Sequence, residues 1–180
     1  MKRIEYEIRR ATPSDADGIA AAHSRSIRSI GPQFYAAETV NAWGSGLTSD
    51  LYMKAMEDGE VFWIAVGGLG GKQEVLGFSS HRVDEHQHGT SVYVRGEAAR
   101  RGIGSALFRV AEAAARCAGA ASIDIAASFA AVDFYKARGF EVVGRGEHRL
   151  QSRQPMPCVF MRKTLTLTDT RGRRTSGCTG

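Results

Sequence analysis

Near its start the chain alternates apolar and charged residues: Ile4, Tyr6 and Ile8 are separated by Glu5 and Glu7 and flanked by Arg3 and Arg9. A period of two marks a strand with one buried and one wet face. The period then lengthens. In Thr12-Pro13-Ser14-Asp15, Thr12 suits an N-cap and Pro13 a first helical position. Asp15 and Asp17 complement the positive end of the macrodipole. This helix is predicted to reach about Ser29, before Gly31-Pro32. Phe34–Trp43 and Ser49–Glu57 read as two more helices, closed by Gly44 and by Asp58-Gly59. Val61–Val66 is a fully apolar run of strand length, and Gly67-Gly68-Leu69-Gly70-Gly71 turns it into a partner around Val75–Phe78.

Ser91–Val94 is the next strand. Arg100-Arg101-Gly102-Ile103-Gly104-Ser105 leads from it into a long helix, where Ile103, Leu107, Val110, Ala111 and Ala114 share a face and Gly119 supplies the stop. Ile123–Ala126 reads as a short strand and Ala130–Arg138 as a helix ended by Gly139. Phe140–Gly144 and Cys158–Leu167 are the closing strands. The order predicts one α/β domain over residues 1–167, a mixed sheet of about seven strands with four to five helices. Residues 168–180 are small, polar and basic, and are expected to be a disordered tail.

Composition narrows the function classes. A chain of 180 residues, 43% hydrophobic and 24% charged, matches one globular domain and excludes a disordered chain or a coiled coil. The net charge is +5, but the tail holds Arg171, Arg173 and Arg174 against Asp169 and accounts for two of those charges. The remainder is spread along the body, so no nucleic-acid partner is expected. Cys117, Cys158 and Cys178 are odd in number and far apart, without CxxC or zinc-like spacing, which implies a reducing compartment. No stretch reaches the roughly 18 apolar residues of a membrane span, and the N-terminus lacks a signal-like apolar run, so a cytoplasmic protein is expected.

Glycine is the outlier, with 21 residues. Most fall in turns and helix stops. Gly71-Lys72 is not a phosphate-binding P-loop, because Val66 stands where its first glycine belongs and Gln73 where Ser or Thr should follow. Gly102 and Gly104 differ. They lie between a strand and the first turn of a helix, where free amides and the positive helix end favour an anion and bare backbone lets a phosphate approach. A dinucleotide fingerprint fails there, since Leu107 takes the third small position.

With Val92-Tyr93-Val94 and Arg101-Gly102-Ile103-Gly104-Ser105-Ala106-Leu107 in place, Phe134-Tyr135-Lys136-Ala137-Arg138-Gly139-Phe140 completes a resemblance. The chain resembles the GNAT superfamily of acyl-CoA-dependent N-acyltransferases from about Ile4 to Leu167. Two positions depart from the family's pattern: Ala99 opens the loop motif and Ala130 precedes the FY motif where polar residues are frequent. The resemblance implies acetyl-CoA as cosubstrate, no metal, a primary amine acceptor, direct transfer, and a homodimer. It places pyrophosphate and pantetheine contacts at Val92, Val94, Arg100, Arg101, Gly102, Ile103, Gly104, Ser105 and Tyr135. It implies an oxyanion donor in the Val92 amide and a leaving-group donor in Tyr135. The family's base position, four residues before the oxyanion donor, falls on His88; Glu85 and Asp84 are further candidates. Asp84-Glu85-His86-Gln87-His88 equally suits a hairpin turn, and Gly89 a bulge that would reverse side-chain parity. The acceptor pocket is expected from His23, Arg25, Arg28, Tyr35 and Trp43, and from His148, Arg149 and Arg153 in a late loop. A non-catalytic acyl-CoA sensor is the competing reading.

Overall fold

The N-terminal alternation forms strand β1 (Tyr6–Arg10), and the apolar run forms β2 (Val61–Leu69), as the periodicity predicts. These are features of a computed structural model that describes residues 4–69, 72–84 and 87–165. The expected tail, together with Glu85, His86, Gly70 and Gly71, lies outside the described residues. The remaining strands are β3 (Lys72–Asp84), β4 (Gln87–Val94), β5 (Ser122–Ala127), β6 (Glu141–Arg149) and β7 (Pro155–Thr164). They make one sheet in the order β1-β2-β3-β4-β5-β7-β6, and every neighbouring pair is antiparallel except β4 with β5.

Helices cover both faces. They are α1 (Ala16–Ile30), α2 (Ala37–Trp43), α3 (Ser49–Glu57), α4 (Ile103–Cys117) and the short α5 (Val132–Lys136). Burial on two faces explains why β2 has no polar alternation. Phe62 and Ile64 pack with Ile19 and Ala22 of α1, whereas Ala65 joins Leu107 of α4. Strand β3 runs well past the predicted Phe78, because Ser79, Ser80 and His81 read as polar although they are buried. Their groups are satisfied within the sheet and against α4. The Ser79 hydroxyl donates to the Leu107 carbonyl at 2.9 Å, and the Thr90 hydroxyl to the Ser80 carbonyl at 2.6 Å.

Parity along β3 and β4 decides what reaches the site. Phe78 and Tyr93 are register partners facing α1, their rings stacked 5.4 Å apart. Ser79 and Val92, one residue on, face α4. Phe78 is 2% exposed at the centre of the α1 face. Phe78→Ala is expected to cost about 3–5 kcal/mol of stability, read as a lower urea midpoint; a midpoint equal to the parent's would place the ring outside the load of the core.

Candidate active site

Strands β4 and β5 pair at Gly89↔Asp124, and no later pairing between them occurs among the described residues. Beyond that point the sheet opens. The Arg95 amide donates to the Leu76 carbonyl of β3 at 2.9 Å. Amides alternate between the two edges of a strand, so those of Val94 and Val92 point into the opening. The Val92 amide meets the hydroxyl of Tyr135. Arg95, 2% exposed, anchors the end of β4 through ion pairs to Glu74 at 3.0 Å and Glu97 at 3.1 Å.

A groove of about 480 Å³ follows the opening. Val92 and Val94 line one side, Ala130 and Ala131 the other, and the first turn of α4 closes an end with Gly102, Gly104 and Ser105. Gly102 is the N-cap of α4 with φ +83°, a left-handed conformation that glycine adopts without strain. Gly104 leaves no room for growth: a Cβ there would stand 3.2 Å from the Phe134 ring and 3.5 Å from the Val94 side chain.

Arg138 reinforces this corner. Its guanidinium lies 3.4 Å over the Phe134 ring and donates to the Phe134 carbonyl and to the Ser105 hydroxyl. In the sequence Arg138 reads as a spacer within the aromatic motif; its spacing of four from Phe134 was the available signal.

Of the expected cofactor contacts, Val92, Val94, Arg100, Gly102, Gly104 and Ser105 line the groove. Ile103, 1% exposed, packs into the core with Leu107 and Leu76 and so offers the groove its backbone alone. Arg101 is half-buried outside the lining. Tyr135 is 5% exposed and held among Phe108, Phe134 and Phe140, with burial pushing its phenol well above the usual tyrosine range. Ala99 and Ala130 both line the groove, so their short side chains widen it where a polar group would project.

His88 does not join this arrangement. The β3–β4 register runs unbroken from Gly77↔Val94 to Asp84↔Gln87, so Gly89 forms no bulge and His88 shares the α4 face with Val92. There its Nδ1 lies 3.0 Å from Nε2 of His81, and the two rings stack at 5.3 Å. Asp84 ends β3 exposed, away from the groove.

A second cavity, about 340 Å³, shares Trp43, Tyr93 and Ser128 with the groove. His23, Trp43, His148 and Arg149 line it. Tyr35 instead pins two backbones, donating to the Pro157 carbonyl at 2.9 Å and accepting from the Phe129 amide at 2.8 Å. Arg25 pairs with Glu97 at 3.3 Å, Arg28 is exposed, and Arg153 sits at φ 64° in the turn after β6. Burial pushes His23 down to about 3, with Nδ1 2.7 Å from the Tyr52 hydroxyl and Nε2 buried without a hydrogen-bond partner. Burial likewise raises Tyr93 to about 12, although its hydroxyl accepts from the Trp43 indole. His148 is lowered by burial and then by the charge of Arg82. Among the described residues no three His, Cys, Asp or Glu side chains cluster as a metal site.

A model of the GNAT acetyltransferase domain matches residues 33–165. The chain belongs to the GNAT acetyltransferase family. Among solved structures, it is similar to a GCN5-related N-acetyltransferase from Rhodopseudomonas palustris, with 25% identity, TM-score 0.75, and coverage of 92% of this chain and 99% of that one. The PaiA N-acetyltransferase of Thermoplasma acidophilum, solved with coenzyme A, is 16% identical with TM-score 0.67, over 89% and 99% of the two chains. Salmonella typhimurium yncA, solved with acetyl-CoA, is 19% identical with TM-score 0.64, over 89% and 94%. No curated protein matches the chain. In this GNAT domain no helix among the described residues is long and apolar enough to cross a membrane.

Proposed function

We propose that this GNAT protein moves an acetyl group from acetyl-CoA to a primary amine of a small molecule or peptide by direct transfer. The observation that carries this reading is the junction of groove and cavity at Trp43, Tyr93 and Ser128, beside the open edge of β4. Two pockets sharing a wall suit two substrates that must meet. The groove's small residues and the α4 amides fit a pantetheine arm and a pyrophosphate, with Arg100 adding charge at the rim. Acetyl-CoA supplies an activated thioester carbonyl.

As the amine attacks, the carbonyl oxygen gains charge, and the Val92 amide donates to it. A C–N bond forms and the C–S bond breaks; the amine gives up one proton and the departing sulfur takes up one. Tyr135, kept protonated by burial, donates a hydrogen bond to that sulfur. The amine proton needs an acceptor in the cavity. His88 is on the wrong face, and His23, at about 3, is too weak a base to hold a proton. His148 takes that role: burial and then the charge of Arg82 lower its pKa, which keeps the imidazole neutral, and so able to accept, at neutral pH.

The basic test is release of free thiol from acetyl-CoA over a broad amine panel. Calorimetric binding of acetyl-CoA with no thiol release on any amine would make the protein an acyl-CoA sensor instead. His148→Gln is expected to lower kcat/KM by about 10²-fold. It should also remove an acidic limb of the kcat/KM profile on the acid side of an ordinary histidine, and a limb that survives the substitution would assign the proton elsewhere.

A further inference from the structure

We infer that the amine acceptor carries a carboxylate beside its amine, anchored by Arg82 with Arg149, so that the substrate class is an apolar amino acid. This rests on the acetyl-transfer reading above. The cavity's charge distribution carries the inference. Arg95 and Arg162 are neutralised by carboxylates at 3.0 and 2.7 Å. Arg82 and Arg149, by contrast, line the cavity and form no ion pair among the described residues.

Arg82 is an exposed residue whose guanidinium lies over the bare backbone of Gly89. It lies directly across from Gly89 in the β3–β4 register, and a Cβ on Gly89 would stand 3.1 Å from its Cζ and 3.2 Å from one terminal nitrogen. The bare glycine lets the guanidinium approach β4 closely on the face that Tyr93 shares. Its charge is felt at both Tyr93 and His148, two other lining groups. Glu60, the single carboxylate among the lining residues, acts instead on Tyr52, toward α3.

The cavity therefore has a positive side without a counter-ion, and a planar guanidinium is suited to a carboxylate. Between that side and the junction, Leu47, Leu51, Phe62, Leu150 and Met156 form an apolar wall for a side chain. At about 340 Å³ the space fits a molecule of amino-acid size. An amine bearing positive charge alone would meet Arg82 and Arg149 unfavourably.

The experiment compares leucine, methionine and phenylalanine with their amides and their decarboxylated amines, following thiol release from acetyl-CoA with background hydrolysis subtracted. Expected is a kcat/KM preference of about ten- to hundredfold for the amino acid over its decarboxylated amine. In Arg82→Gln the ratio should collapse toward unity, and Arg82→Lys should restore part of it; calorimetric binding of acetyl-CoA verifies that each variant is folded. A parent ratio near one, or a ratio that Arg82→Gln leaves unmoved, overturns the inference while the transfer reading stands. Acetyl-CoA binding without turnover on any amine overturns the transfer reading itself.

Discussion

Gly104→Val is expected to abolish measurable acetyl-CoA binding, raising Kd by at least about a hundredfold while the fold persists. A Cβ at this position already stands 3.2 Å from the Phe134 ring, closer than nearly all real Cβ contacts, and 3.5 Å from Val94. The ring cannot easily retreat, because the Arg138 guanidinium lies over it and is itself tied to Ser105. The two further methyls of valine must then push into the groove or displace the first turn of α4. Either outcome removes space or misdirects the amides on which anion binding depends. Valine at a helix start costs well under 1 kcal/mol in propensity and loses less backbone entropy on folding than glycine, so global unfolding is not the expected cause. Calorimetric titration with acetyl-CoA, beside a thermal melt, separates the two. Parent-like affinity would move the cofactor groove away from the α4 N-terminus.

Tyr135→Phe is expected to lower kcat by about a hundredfold with the acetyl-CoA Kd nearly unchanged. The ring is packed on Phe108, Phe134 and Phe140, and phenylalanine keeps those contacts. What disappears is the hydroxyl at the Val92 amide, the group that the proposed transfer directs at the departing sulfur. A raised phenol pKa makes the hydroxyl a poor acid and a persistent hydrogen-bond donor, so the loss belongs to the transition state rather than to ground-state binding. Single-turnover thiol release and calorimetry give the two numbers. Turnover equal to the parent's would remove Tyr135 from the chemistry and leave it a core residue.

Regular elements were most legible where the hydrophobic period was long. The α4 face of Ile103, Leu107 and Ala111 is buried as the spacing predicts, and α3 keeps its predicted limits of Ser49–Glu57. Boundaries failed where buried polar residues mimic a loop. Ser79, Ser80 and His81 extend β3 beyond Phe78 because partners distant in sequence, Leu107 and Ser91 among them, satisfy their polar atoms. The last strand begins earlier than the predicted Cys158, at Pro155, while its predicted end, Leu167, lies outside the described residues.

The groove was legible for a related reason. Bare backbone before a helix is a local requirement, so Gly102 and Gly104 announce it without knowledge of the fold. The second cavity is a different case, since its residues come from α1, α2, α3 and from β2 to β7 and meet through packing alone. His88 shows how little spacing suffices there: the count back from Val92 is right, and an unbroken register turns the ring to His81 and the α4 face. Arg82 carried no signal at all, because an arginine in a polar strand end looks like solvated charge until Gly89 is seen beneath it. By itself the sequence determined the family, the order of the elements and the glycine loop that caps α4, each written in neighbouring residues. The tertiary structure alone decided which imidazoles line the cavity and which guanidinium there has no carboxylate partner among the described residues, because side-chain parity and charge balance are set between strands, across contacts that no local pattern records.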